Sequence, residues 1–579
     1  MNQFQVVLVV LVAVLVTALA RQRRLNAPLV VLAVALAASF LPGLQQIDVA
    51  PELILGVVLP PLLYSAALSS SYQDFRDAIR PIVRLGVGLV IVTTLAVGLA
   101  AHAVDPVLSL PAALLLGAVV APPDAVAAAA VGRRLGLPRR VMTLLGGESL
   151  INDATSLTLY RLAVAALTTT AMGSLGNGVV VFTLATVVGV AIGLALAYLA
   201  QMGRSVLRDP TVDTVIGLML PFVAYWVAEE YQGSGVLAVV AAGFVIGQSG
   251  PRTTVSTRLH EEPIWASIDL LLESFTFALI GLQLRWVIVD VSQAPGQRLS
   301  DAFVLSGVVL LVALGIRPLY IYVTELVPHL GIWPGKRKRE PHMNWREMLV
   351  TSWAGMRGVV TLAAAAAIPA IPDRATVQLA AYMVAICTLL LQGITLPTLI
   401  RALKLSNEQE EEDDKASEAR VRLLATRAAA RVVRGQVDAW APLMGRPEAE
   451  KIAAWATQGL LARETAAATL LHPPQTEDFP TISTTLLDLP SESSPAVISQ
   501  AKQVLEAATP ERSRQEIREA AAALSTKVND LRTQMVRAQR AVVVAERNAG
   551  RLGENVMRLI MRELDLEEEA MEASWTHRL

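Results

Sequence analysis

Up to about residue 404 the chain is a succession of apolar runs, most of them around twenty residues long, separated by short polar clusters. Runs of that length cross roughly 30 Å of hydrocarbon as α-helices, whereas a buried core helix is shorter. The pattern predicts helical spans at 4–20, 27–43, 50–69, 80–102, 108–132, 140–169, 173–201, 212–231, 234–249, 262–284, 301–328, 345–370 and 374–403. Beyond 404 the chain turns polar and stays so. An acidic run from Glu408 to Asp414 opens this part, followed by Ala, Arg, Glu and Leu at amphipathic helical spacing. A Pro/Ser/Thr-rich stretch at 472–495 breaks the pattern and reads as a linker, with a second helical region after Ala496. The expected organisation is a transmembrane domain over 1–403 and a helical cytoplasmic region over 404–579. That region is read as solvated helical hairpins that stabilise or dimerise the protein, with regulation as the alternative.

Composition sharpens this picture. The chain is 54% hydrophobic and 17% charged, against about a quarter charged in a soluble domain. A net charge of −1 gives no sign of a nucleic-acid partner. Cys387 is the single cysteine, which excludes a disulfide framework or a cysteine metal site. The start Met1-Asn2-Gln3-Phe4 lacks a basic n-region, so the first apolar run is expected to be a retained helix.

Charge asymmetry orients the spans, because short cytoplasmic loops collect Lys and Arg. One set of alternate loops holds Arg21, Arg23, Arg24, Arg76, Arg80, Arg84, Arg133, Arg134, Arg139, Arg140, Arg204, Arg208, Arg252, Arg258, Lys336, Arg337, Lys338, Arg339 and Arg346. The opposite set holds Arg285, Arg298 and Arg374. The N-terminus is therefore expected outside and the C-terminal tail inside.

Two spans carry helix breakers. Pro122-Pro123 sits near the middle of the fifth, where two missing N–H groups and steric clash must open the helix. Gly355-Met356-Arg357-Gly358 permits an irregular backbone in the twelfth. If span seven is a connector, one to six pair with eight to thirteen, and the two interruptions fall at equivalent positions. Inverted-repeat transporters place their ion site where such discontinuous helices meet.

Intramembrane charges cluster at the same place. Span six reads Gly147-Glu148-Ser149-Leu150-Ile151-Asn152-Asp153, with Asp124 in the neighbouring span. A charged residue at a helix centre costs roughly 2.5–3.5 kcal/mol on insertion scales, so these groups need partners or a wet cavity. Ser149 and Asp153 share one helical face, and Glu148 and Asn152 the adjacent one. Arg357 is the expected ion-pair partner of Glu148, which leaves Asp153 and Asp124 for ion chemistry. A partly desolvated carboxylate can hold a proton near neutral pH, or a monovalent cation with help from neighbouring oxygens, and competition between the two suffices for an exchanger. Arg161 is expected to snorkel outward or to pair with Glu229 or Glu230. Glu273 and Arg317 are expected to make interhelical polar contacts, and Glu52 and Asp269 to lie near helix ends. His102, His260 and His329 show no metal-ligand spacing.

With these residues assembled, the chain resembles the bacterial branch of the monovalent cation:proton antiporter-1 family, relatives of animal sodium/proton exchangers. The resemblance covers the region to about residue 403. It rests on Leu59-Pro60-Pro61-Leu62-Leu63-Tyr64, Pro123-Asp124-Ala125-Val126, Gly147-Glu148-Ser149 with Asn152-Asp153, Phe277-Ala278-Leu279-Ile280-Gly281, and Gly355-Met356-Arg357-Gly358. It implies an all-α polytopic membrane protein of about thirteen transmembrane helices with inverted repeats and two broken crossing helices. It further implies a homodimer in the plasma membrane, elevator-like motion, no cofactor, and no enzymatic activity. Sodium, or lithium or potassium, and protons are the implied cargo. By matching positions, Asp153 would bind cation or proton, assisted by Asp124, Ser149, Asn152 and the backbone at Pro123, and Glu148 would pair with Arg357. One titrating carboxylate in the Asn-Asp pair implies electroneutral exchange. Many relatives have Thr where this chain has Pro123, which leaves ion preference open. Two other classes fit less well: an intramembrane aspartyl protease needs Tyr-Asp and Gly-x-Gly-Asp sequences that are absent around Asp124 and Asp153, and a membrane sensor has no catalytic motif to use in the tail.

Overall fold

A computed structural model describes residues 3–23, 25–41, 54–168, 175–207, 209–249, 255–293, 298–326, 343–371, 373–405, 407–456 and 514–576. Glu52, His329, the basic residues 336–339 and the linker expected at 472–495 lie outside them. The described residues are helical throughout, with no strand. They divide into two compact units, 1–408 and 409–579.

The first unit is built from apolar helices. α1 (Gln3–Gln22), α2 (Ala27–Ser39) and α3 (Leu59–Ser69, entered through a π-helical turn at Ile54–Val58) come first. α4 (Ile79–Val104) follows, with a π-helical stretch at Arg84–Leu89. The sequence pattern gave no sign of either π segment. The fifth expected span divides into α5 (Leu110–Val120) and α6 (Ala125–Leu135). α7 (Arg139–Thr168), α8 (Leu175–Leu207), α9 (Pro210–Glu230), α10 (Gly235–Ser249), α11 (Val255–Gln293) and α12 (Leu299–Leu326) are continuous. The twelfth span divides again, into α13 (Trp345–Trp353) and α14 (Val359–Ala366), before α15 (Arg374–Leu403). Among the described residues, six helices are long and apolar enough to cross a membrane, and five shorter apolar helices accompany them.

Packing separates two cores. The larger joins α2, α4, α5, α6, α11, α12, α14 and α15 around Leu115, Leu116, Leu279, Leu379 and Leu389. The smaller joins α3, α9 and α10 around Tyr64, Ala224 and Val239. α7 serves both, with Leu145 in the first and Leu150 and Ala154 in the second. α5 lies hard against α4: a Cβ on Gly117 would stand 2.2 Å from the Thr94 carbonyl oxygen, so no side chain fits there.

The second unit contains α16 (Glu408–Met444), α17 (Arg446–Ala456), α18 (Arg514–Asn548) and α19 (Glu554–Thr576). Val421, Val536, Val543, Ile560 and Leu564 pack together, and Trp440, Leu531 and Met535 form a second cluster. Arg422 holds Glu563 bidentately at 2.7 and 2.9 Å, and Arg540 pairs with Asp565 at 2.6 Å.

Candidate functional site

The site begins with an unmet hydrogen-bonding demand. In an uninterrupted helix the Ala118 carbonyl would accept from residue 122, and Val120 from residue 124. Proline at 122 has no N–H to give, and the Asp124 N–H turns away to the Met356 carbonyl at 2.6 Å. That bond joins the two interrupted segments, 121–124 and 354–358, where they cross. The orphaned carbonyls find other partners: Ser156 Oγ donates to Ala118 O at 2.8 Å, and Arg357 Nε donates to Val120 O at 2.7 Å. Asn152 Nδ2 donates to Pro123 O at 2.6 Å, tying α7 to the crossing.

These partners correct the expected Glu148–Arg357 ion pair. Arg357 also donates to its own Gly355 carbonyl, and its N–H bonds Thr388 Oγ1 at 3.1 Å. Its guanidinium is taken up by carbonyls that the helix breaks leave without donors. Glu148 is held instead by Arg317 of α12, through both carboxylate oxygens, with Nη2–Oε2 at 2.8 Å. Both side chains are buried, at 3% and 2% exposure, and a bidentate fork satisfies the desolvated carboxylate. Arg317 donates Nε to Thr351 O at 3.1 Å as well, so it links α7, α12 and α13. Arg161 pairs with Glu229, one of its two expected partners.

The two aspartates occupy different environments. Asp124 stands at the start of α6, and its carboxylate lies against Gly358, where a Cβ would be 1.7 Å from Oδ2. Gly358 precedes the first turn of α14, so the Asp124 charge faces the N-terminal ends of two helices, where anions are stabilised. Asp153 is 6% exposed, and no hydrogen bond or ion pair engages it among the described residues. It borders a cavity of about 210 Å³ together with Asp124, Pro123 and Ser149, room for several water molecules. Asn152 is fully buried, and its Oδ1 has no partner. Carboxylates, a hydroxyl and the opened backbone therefore border one cavity, and backbone opened at a helix break is where discontinuous-helix transporters coordinate Na⁺ or H⁺.

The cavity also holds two carboxylates that sequence reasoning placed elsewhere. Asp269, expected near a helix end, lies well inside α11, and Glu273, expected only as an interhelical contact, follows one turn later. Both border the cavity, and Ser65 Oγ donates to Asp269 Oδ2 at 2.5 Å. Two acids four residues apart within an apolar span were the available signal, since intramembrane charges read as functional by default. The cavity opens beside the exposed Ser69 and Arg133.

The family described as "Sodium/hydrogen exchanger, transmembrane" matches residues 10–402. An uncharacterised Na(+)/H(+) exchanger of Mycobacterium tuberculosis is 32% identical over 417 residues, covering 70% of this chain and 75% of the relative. A Na(+)/H(+) antiporter of Aphanothece halophytica is 31% identical over 373 residues, covering 63% and 67%. A sodium, potassium, lithium and rubidium/H(+) antiporter of Bacillus subtilis is 30% identical over 423 residues, covering 69% and 62%. In fold, the chain is similar to the sodium proton antiporter MjNhaP1 of Methanocaldococcus jannaschii, with a TM-score of 0.54 at 19% identity, covering 69% of this chain and 97% of that one.

Proposed function

Because this chain belongs to the sodium/hydrogen exchanger family, a family of membrane transporters, we propose that it exchanges a monovalent cation for protons by letting the two compete for Asp153. The observation that carries this reading is the state of that side chain: buried, engaged by no ion pair among the described residues, and bordering a cavity that holds several waters and is lined by further oxygens. A proton neutralises it directly. A cation does so with Ser149, Asp124, the Pro123 carbonyl and the Asn152 amide oxygen as supporting ligands. Only one occupant fits the charge, so inward movement of one species accompanies outward movement of the other, one for one and without net charge transfer.

Sodium is the proposed principal cation. Potassium and lithium form the second reading, favoured by the similarity to the sodium, potassium, lithium and rubidium/H(+) antiporter of Bacillus subtilis. The protein works in the plasma membrane as a homodimer, N-terminus outside and tail inside, in sodium and pH homeostasis. Residues 1–403 form the transport domain, and the tail from 404 stabilises or regulates it. Since Arg133 belongs to the basic loops assigned to the cytoplasm, the cavity beside it is the inward-open access path. Transport then requires the crossing helices to move against α3 and α11 until the site faces the other side.

Everted vesicles holding a pH gradient test this. Adding sodium, lithium or potassium chloride collapses the gradient in the wild type, and Asp153→Asn abolishes the response. Exchange that persists in that variant rejects the site.

A further inference from the structure

Two of the four carboxylates around the cavity have no part in the exchange just described. Asp269 and Glu273 are one helical turn apart on α11, on the same face, and border the cavity that Asp124 and Asp153 also border. Neither is in an ion pair among the described residues, and the one cationic side chain bordering the cavity there, Arg133, is exposed. Ser65 fixes Asp269 through Oδ2, while Oδ1 is enclosed and has no hydrogen-bonding partner. A second unsatisfied group points to a polar occupant. Thr361 of α14 borders the same cavity, is 1% exposed, and has no partner for its Oγ1. A dry apolar pocket would not leave such groups open, because each buried unsatisfied polar atom costs about 1–3 kcal/mol unless water or an ion meets it.

We infer that Asp269 and Glu273 form a second cation station, which takes up a partly hydrated monovalent cation and hands it across the cavity to Asp153. It rests on the exchanger reading and deepens it. A negatively lined, low-dielectric vestibule raises the local concentration of cations. Asp269, oriented by Ser65 and carrying a free oxygen, supplies a ligand while water fills the rest of the cation's shell. The cation sheds that water only at Asp153, where the Ser149 hydroxyl and the Pro123 carbonyl replace it. The station acts on cation capture, and the competition with protons remains at Asp153.

The experiment measures exchange rate against sodium concentration at fixed pH in everted vesicles, for wild type, Asp269→Asn, Glu273→Gln and the double variant. The expected result is an apparent KM for Na⁺ raised by about three- to tenfold, the scale of one unit charge acting through a wet cavity, with maximal rate held within about twofold. Asp269→Glu should bring KM back toward the wild-type value, which a merely structural side chain would not do. Salt dependence is the second readout, with the single variants standing in if the double one misfolds. Raising ionic strength with choline chloride should increase KM in the wild type and change it less in the double variant, because half-buried charges that border an open, water-filled cavity are screened in part at about 0.1 M and above. An unchanged KM in the folded double variant, or a choline chloride response of KM identical in wild type and double variant, overturns the station. Wild-type vesicles that exchange no cation at all overturn the exchanger reading as well, so the two failures are distinct.

Discussion

Substituting Gly358 by Ala is the sharpest test of how the two interrupted helices cross. Gly358 has φ −140° and ψ −135°, outside the left-handed region, so the effect of a methyl group is steric. That methyl would stand 1.7 Å from Asp124 Oδ2, 2.4 Å from Cγ and 2.6 Å from Cβ. Rotating the carboxylate relieves the first two contacts but leaves the third. Carbon atoms rest at about 3.5–4.0 Å, so the Asp124 backbone must retreat by roughly 1 Å. It is poorly placed to do so, since its N–H is bonded to Met356 O at 2.6 Å and the preceding carbonyl to Asn152 at 2.6 Å. Overpacking of this kind costs about 1–3 kcal/mol, which a large membrane domain tolerates. A misplacement of about 1 Å in a reacting geometry costs on the order of a hundredfold in rate. The expected result is near-normal protein in the membrane with exchange lowered about a hundredfold. Gly315→Ala on α12, where no atom lies within 4 Å of the added carbon, is the control and should transport normally. The readouts are cation-induced dissipation of a vesicle pH gradient and immunoblotted membrane yield. Wild-type exchange by Gly358→Ala would refute the packing of Asp124 against this backbone.

Breaking the buried Glu148–Arg317 pair by Glu148→Gln or Arg317→Gln strands one charge, a loss of about 3–5 kcal/mol that fluorescence-detected size exclusion reads as a collapse of folded protein. The swap Glu148→Arg with Arg317→Glu should restore part of that yield, whereas Glu148→Arg with Arg357→Glu should restore none; the reverse order would reinstate Arg357 as the partner. In the tail, Arg551 donates to Glu546 at 2.5 and 2.9 Å and Arg420 adds a bond at 3.1 Å, which holds that carboxyl below its ordinary value of 4.5. A depressed carboxyl stabilises the folded form above its unfolded pKa and loses that contribution as pH falls through the folded one. Amide-exchange protection near Glu546 should therefore be flat from neutral pH to about 5 and fall below about 4.5, and Glu546→Gln should abolish the acid-side change.

The helical architecture was legible because apolar runs and prolines act locally. Pro122-Pro123 announces a break through two missing donors, and the structure opens the chain there. Gly355 and Gly358 announce a second, and α13 ends just before it. What the chain alone leaves open is which distant helices meet. Glu148 had three buried arginines among the described residues of its unit to choose from, Arg204, Arg317 and Arg357, and helical spacing says nothing about whether α8, α12 or the second break comes closer. The choice follows from orphaned carbonyls: the break that draws Arg357 to Val120 O removes it from the competition for Glu148. Asp269 and Glu273 were misplaced for a related reason. Nothing local distinguishes an acid that serves an interhelical contact from one that borders a cavity, since the difference lies in what the opposing helices leave empty.

The groups around the crossing have a consequence for leakage. Guanidinium groups stay charged in proteins, so Arg317 cancels Glu148 and Arg357, bonded to Val120 O at the crossing, offsets one further charge; with Asp124 and Asp153 ionised, and Asp269 and Glu273 of α11 counted separately, the crossing carries one uncancelled negative charge. A proton or an alkali-metal ion cancels it equally well. In the mechanism proposed above, a loaded assembly thus travels as a neutral body, while a vacant one must drag its charge past hydrocarbon at roughly 2.5–3.5 kcal/mol. That difference makes vacant return trips about a hundredfold rarer and keeps the two gradients coupled without any latch.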